Sequence, residues 1–307
     1  MKKKTNITKC IAALLLGVTV FSACADKSGE NEEITQASQT EETEDDSEES
    51  AWQLWKKLST KEYPKELIDL VKRNPETYDF VCSFKEEADK EHDIDLSELE
   101  NTDSIPYFCQ WDVRWGFEQY NNKYFALTGC GPTCLSMVAI YLTGNSEYSP
   151  LWMGNFLDSH GYAVPGTGTA WSVFDDGIVE IGLYGTAIEN SFDSICEALD
   201  GGMPVIASMS KGDFTAKGHF VVFVSHDVNS IMVYDPNSKE RTRSWDFSDL
   251  EPQIASAWAM YVDGDPQDEE WGLHEYYEDE GSYETVFDDE YFEDYLEDYP
   301  DDYSDEY

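Results

Sequence analysis

Thr128-Gly129-Cys130-Gly131-Pro132-Thr133-Cys134-Leu135-Ser136-Met137 reads as a cysteine mounted on the first turn of a helix. Pro132 suits the first helical position, where its missing N–H would have had no partner. Cys134, Met137, Val138 and Tyr141 recur at helical spacing, and Gly144 offers a C-terminal stop. Cys130 is then placed where unpaired N–H groups and the positive end of the helix dipole favour a thiolate. Gly131 lets another backbone or a substrate come close. The competing reading is a buried, inert cysteine at the head of an ordinary core helix.

Downstream the hydrophobic period changes. Val205 to Met209, Phe220 to Val224 and Ile231 to Tyr234 are strand-like runs, and His226-Asp227-Val228-Asn229-Ser230 between the last two is turn chemistry. Helices first and strands afterwards predict an α+β architecture. If the last two runs form a hairpin centred near Asp227, His219 and Asp235 are equidistant from the centre and become cross-strand neighbours. A carboxylate beside an imidazole selects its tautomer and stabilises the imidazolium. Cys130, His219 and Asp235 thus supply nucleophile, base and orienter. Gln110 is a candidate second oxyanion donor alongside the backbone N–H of the nucleophile. Zinc on Cys130, Cys134 and His219 matches no standard ligand spacing, and no metal or cofactor is expected.

The rest of the chain supplies context. Of 307 residues, 20 are Lys or Arg and 64 are Asp or Glu. Residues 28–50 carry 10 acidic side chains and residues 263–307 carry 21, with no Lys or Arg in either stretch. Residues 51–262 hold 32 acidic and 15 basic residues, ordinary for a globular domain. Such a surface repels phosphate, so nucleic-acid binding is not expected.

Residues 1–24 read as a targeting segment, with Lys2, Lys3, Lys4 and Lys9 before an apolar run. Phe21-Ser22-Ala23-Cys24 resembles a lipoprotein box in which Cys24 is acylated, with Phe21 in place of the usual leucine; a plain secretory signal and an uncleaved anchor compete. All three export the domain, and a diacylated Cys24 would tie it to the outer face of the membrane. Residues 25–50 read as a disordered acidic linker, 51–262 as the folded domain with short helices at its start, and 263–307 as a disordered acidic tail with eight tyrosines. Ile105-Pro106-Tyr107 suits an edge or entry strand, and Trp171, Phe174, Ile178 and Ile181 a helix. The seven cysteines show no disulfide framework.

Over residues 64–262 the chain resembles the bacterial double-glycine, bacteriocin-processing peptidase-like family of cysteine peptidases. The resemblance rests on Ile105-Pro106-Tyr107 through Gln110-Trp111-Asp112, Gly129-Cys130-Gly131-Pro132-Thr133, Gly212-Asp213-Phe214-Thr215 leading to Gly218-His219-Phe220, and Asp235-Pro236-Asn237-Ser238. It implies a papain-like fold, a Cys130–His219–Asp235 triad and Gln110 in the oxyanion hole. Classical members place that glutamine only a few residues before the cysteine. Here twenty positions separate the two, so the intervening loop must fold back; Gln119 is a poorer substitute. No transporter motif accompanies the domain, and leader processing is not carried over. The expected function is hydrolysis of peptide bonds in peptides or proteins at the cell surface. The alternative is a catalytically silent domain that binds peptides or a protein partner; cell-wall hydrolysis fits the anionic surface poorly.

Overall fold

A computed structural model of the chain describes residues 51–59, 62–166, 168–174 and 177–262. The expected export segment with Cys24, the linker 25–50 and the tail 263–307 lie outside the described residues.

Short helices come first, as the apolar spacing of residues 51–100 indicates: α1 (Ala51–Ser59), α2 (Lys65–Arg73), a 3₁₀ turn (Pro75–Thr77), α3 (Tyr78–Cys82) and α4 (Phe84–Glu87). Leu58, Leu67, Leu70, Val71 and Val81 bury together with Cys109, Trp111, Phe117 and Ala126. Phe80 stacks on Phe117 with ring centroids 4.1 Å apart. This helical extension therefore packs on the segment that leads to Cys130.

Residues 105–112 are not the edge or entry strand expected from Pro106; they carry no ladder. Their polar groups find isolated partners instead. The Tyr107 hydroxyl donates to the Asp235 carbonyl at 2.8 Å, the Gln110 N–H to Pro236 at 2.7 Å and Trp111 Nε1 to Asn237 at 3.0 Å. The chain then folds back through β1 (Gln119–Tyr120) and β2 (Lys123–Tyr124). Their two-residue turn is Asn121-Asn122, with φ of 56° and 59°, the left-handed pair of a type I′ hairpin.

Next come α5 (Phe125–Thr128) and α6 (Cys130–Thr143). α6 begins two residues before Pro132, so Pro132 is its third residue, not its first. Proline is still tolerated there because the first-turn N–H groups have no intrahelical acceptor. Gly144 ends the helix in the left-handed region, as read. Every residue from Gly131 to Ile140 is buried; a helix apolar all round belongs inside a domain.

α7 (Pro150–Ser159) packs against α6 and is capped by Ser149, whose hydroxyl accepts from the Trp152 N–H. β3 (Ala163–Val164) and β4 (Gly168–Thr169) make a small hairpin. The helix expected over 171–181 resolves into two 3₁₀ turns, Trp171–Phe174 and Val179–Ile181, the second ended by left-handed Gly182.

The remaining chain builds one six-stranded antiparallel sheet: β5 (Leu183–Ile188), β6 (Val205–Met209), β7 (His219–His226), β8 (Ser230–Tyr234), β9 (Arg243–Asp246) and β10 (Ile254–Val262), in the order β5-β10-β6-β7-β8-β9. α8 (Phe192–Asp200) and α9 (Phe247–Leu250) connect its strands. The sheet is covered on both faces. Ile206, Phe220, Val222, Trp258 and Met260 join the core of α6 and α7, while Val205, Ala207, Val221, Phe223 and Ala259 join that of α8. Helices ahead of an antiparallel sheet, with a buried cysteine-bearing helix against it, make the α+β architecture anticipated above.

Candidate active site

Cys130 opens α6, and α6 packs directly on β7, which begins with His219. Cys130 and His219 are close enough for charge and hydrogen bonding between them to act on the thiol, as do the backbone N–H groups of Phe220 and Gly131. On the other side of the ring, His219 Nε2 lies 2.7 Å from Asp235 Oδ1. Asp235 is fully buried and His219 is 7% exposed, whereas Cys130 keeps part of its surface open. The structure thus brings Cys130, His219 and Asp235 into one line.

The route from sequence to this contact differs in one detail. The β7–β8 ladder pairs Val222 with Tyr234 and Phe223 with Val233, then slips at Val224 to pair Ser225 with Met232. Carried back, that register sets Asp235 opposite Val221. His219 therefore meets the carboxylate diagonally and is not its direct cross-strand neighbour. The turn is centred beyond Asp227, and the bulge adds a residue to one strand.

Electrostatics follow from the packing. Burial pushes the Cys130 thiol up, but the hydrogen bond and charge of His219 and the two N–H groups outweigh it, so the pKa is lowered below its ordinary value of 9.0. Burial pushes the His219 imidazole down, and Asp235 together with Cys130 reverses this, raising it to about 10. Burial likewise disfavours the Asp235 carboxylate, yet His219 and Arg241 hold its pKa below 3.8. All three directions favour a thiolate–imidazolium pair backed by a carboxylate.

Asp235 is saturated with donors. Besides His219, Oδ1 accepts the Asn237 N–H at 2.7 Å and Oδ2 accepts Arg241 Nε at 2.6 Å. Arg241 went unremarked in the sequence, although a cation six residues after the candidate orienter is a usable signal. Asn74 and Glu76, which also reach this loop, carry no such signal.

Gln110 is buried, with Nε2 donating to the Ala126 carbonyl at 2.8 Å. The twenty-residue loop does fold back, returning the chain to Gln110 four residues before Cys130. One N–H of the amide remains for another acceptor. Gln119 lies exposed on β1. Gly131 is a position of close approach, since a Cβ there would stand 2.3 Å from Thr169 Oγ1. That hydroxyl in turn meets Tyr120 Oη at 2.7 Å, closing one side of the first turn of α6. Cys134, one turn on, is fully buried, and burial drives its thiol pKa well above 9.0; it acts as core. Among the described residues no group of three His, Cys, Asp or Glu is arranged to hold a metal ion.

No curated protein matches the chain. Among solved structures, the chain is similar to the peptidase domain of Streptococcus ComA, a bi-functional ABC transporter involved in a quorum-sensing pathway. The match is 17% identical, with a TM-score of 0.36, over 44% of this chain and 91% of that one. A model of the Peptidase_C39 like family matches residues 102–266, which include Cys130, His219, Asp235 and Gln110. With more than half of its length matched, this chain belongs to the Peptidase_C39 like family.

Proposed function

We propose that the domain is a thiol peptidase that hydrolyses peptide bonds with Cys130 as nucleophile, His219 as acid–base and Asp235 as orienter. The observation that supports this reading is the convergence of Cys130 at the head of its helix, His219 at the start of the strand packed on it, and buried Asp235 hydrogen-bonded to His219 at 2.7 Å. The Cys130 thiolate attacks the scissile carbonyl carbon, forming a C–S bond and an oxyanion. The Cys130 backbone N–H and the free amide N–H of Gln110 are the donors we assign to that oxyanion. As the intermediate collapses, the C–N bond breaks and the His219 imidazolium gives its proton to the departing amine. Neutral His219 then takes a proton from water, whose hydroxide attacks the thioester. The C–S bond breaks, leaving a carboxylate product and restoring the ion pair.

We place this activity outside the cytoplasmic membrane, tethered through an acylated Cys24. The support is the basic and apolar pattern of residues 2–24.

The activity is tested by incubating the full chain with a thiol-directed peptidyl probe and mapping the labelled peptide. Labelling at Cys130 that disappears in Cys130→Ala, together with hydrolysis of a mixed peptide pool, is expected. A folded wild-type protein that is never labelled at Cys130 would overturn the proposal. Location is tested separately: Cys24→Ala should move the protein from the membrane fraction to the soluble fraction.

A further inference from the structure

The loop that carries Asp235 is gripped by residues outside the segment matched by the family. The turn at residues 74–77 is internally braced. Asn74 Oδ1 accepts the Glu76 N–H at 3.1 Å, and the Thr77 hydroxyl donates to the Asn74 carbonyl at 2.7 Å. From this turn two side chains reach across more than 160 residues of sequence. Asn74, which is 5% exposed, donates through Nδ2 to the Asn237 carbonyl. The Glu76 carboxylate accepts the Ser238 hydroxyl and the backbone N–H groups of Lys239, at 2.8 Å, and Glu240, at 3.5 Å.

These contacts bear on the site through a short chain of bonds. Ser238 Oγ, held by Glu76, also accepts the Arg241 N–H at 3.2 Å. Arg241 in turn places Nε 2.6 Å from Asp235 Oδ2. The backbone between Asp235 and Arg241 is thus set by a carboxylate that takes its donors in a row, much as a side chain caps the open end of a helix. Without Glu76, two backbone N–H groups and a hydroxyl lose their acceptor, and the guanidinium that neutralises one side of Asp235 loses its fixed origin.

We infer that Glu76, supported by Asn74, is a positioning residue: it holds the 238–241 backbone so that Arg241 and Asp235 stay aligned on His219. The inference rests on the triad reading above. It gives the N-terminal helices a task in the chemistry, where the sequence alone showed only a covering layer.

The test is the rate of Cys130 alkylation by iodoacetamide as a function of pH, followed on the Cys130 peptide in the full chain. Wild type, Glu76→Ala, Glu76→Gln and Glu76→Asp are compared, with circular dichroism to establish folding. At mildly acidic pH, Glu76→Ala should react about tenfold more slowly than wild type, the effect of moving the thiol's titration by one pH unit. At alkaline pH, where any thiol is ionised, the rates should agree within about twofold. Glu76→Asp should recover most of the loss, and Glu76→Gln should fall between. A merely structural role would lower the melting temperature without displacing the pH profile. Folded Glu76→Ala and Glu76→Gln with the wild-type profile overturn the inference. If Glu76→Ala does not fold, Glu76→Gln alone decides in the same two directions. A wild type without reactive thiolate on the acid side would instead refute the triad reading, so the two failures are distinguishable.

Discussion

Replacing Asp235 by asparagine keeps the size of the side chain and removes its charge. The carboxylate faces His219 Nε2 at 2.7 Å and Arg241 Nε at 2.6 Å from a fully buried position. Burial alone would bring the imidazole below its ordinary 6.5, yet it stands at about 10. At about 1.4 kcal/mol per tenfold, the surrounding charges outweigh the burial penalty by roughly 5 kcal/mol in favour of the imidazolium. Asp235 leads that stabilisation and Cys130 supplies the remainder. In Asp235→Asn the imidazole becomes neutral near pH 7, and the Cys130 thiolate loses the cation that sustains it. The ultraviolet thiolate absorbance, taken as the difference between each protein and its Cys130→Ala counterpart, reads this directly. Wild type should show the signal from mildly acidic pH upward; Asp235→Asn should show it only near and above 9.0, the ordinary thiol value. Peptide hydrolysis should fall on the order of 10⁴-fold. Stability should fall by about 3 kcal/mol, the cost of breaking a buried pair on one side. A folded Asp235→Asn that keeps its acid-side thiolate signal refutes the reasoning.

Three other outcomes are expected. Gln110→Ala should lower kcat by about 10²–10³-fold while leaving the thiolate absorbance profile unchanged; steady-state kinetics beside that profile separates an oxyanion role from loss of the ion pair. Gly131→Ala should cost about 1–3 kcal/mol in urea unfolding, because its Cβ would stand 2.3 Å from Thr169 Oγ1; a change within experimental scatter would show that this contact yields freely. The stability difference between wild type and His219→Gln should depend on pH with a defined sign. The raised imidazole stabilises fully below 6.5 and loses that contribution as pH climbs toward about 10. The lowered Asp235 contributes above 3.8 and is lost as pH falls further. The difference should be largest between these values, and urea titrations in which it grows with alkalinity would contradict the assignment.

Much of the site was legible because its residues carry strong local signals. Cys130 sits among Gly129, Gly131 and Pro132, which mark a helix start, and His219 and Asp235 flank two apolar runs joined by a turn. The register was out by two residues because the turn is centred between Val228 and Asn229 and not at Asp227; the bulge at Val224 takes back one residue of that displacement. The sheet's interior was harder to read. β10 is buried on both faces, with Trp258 and Met260 in one core and Ala257, Ala259 and Tyr261 in the other, so it shows no alternation. Phe247, Leu250, Ile254, Trp258 and Tyr261 even fall at helix-like intervals across a helix and a strand. The grip of Asn74 and Glu76 on residues 237–240 could not be seen at all. It depends on tertiary proximity across the whole domain, and an asparagine and a glutamate beside Pro75 look like ordinary turn chemistry.

The strand order has a consequence in time. β10 lies between β5 and β6, so until residue 262 has been synthesised these two strands face an empty lane. Each then exposes a row of unpaired backbone groups, an invitation to pair with another chain. Joining β5 to β6 through a segment some seventy residues downstream is also a distant closure, of the kind that slows folding. The cysteine helix and its histidine strand are made well before the sheet can be completed. A ribosome-bound chain therefore carries Cys130, His219 and Asp235 before the strand that completes the sheet beside them has been made.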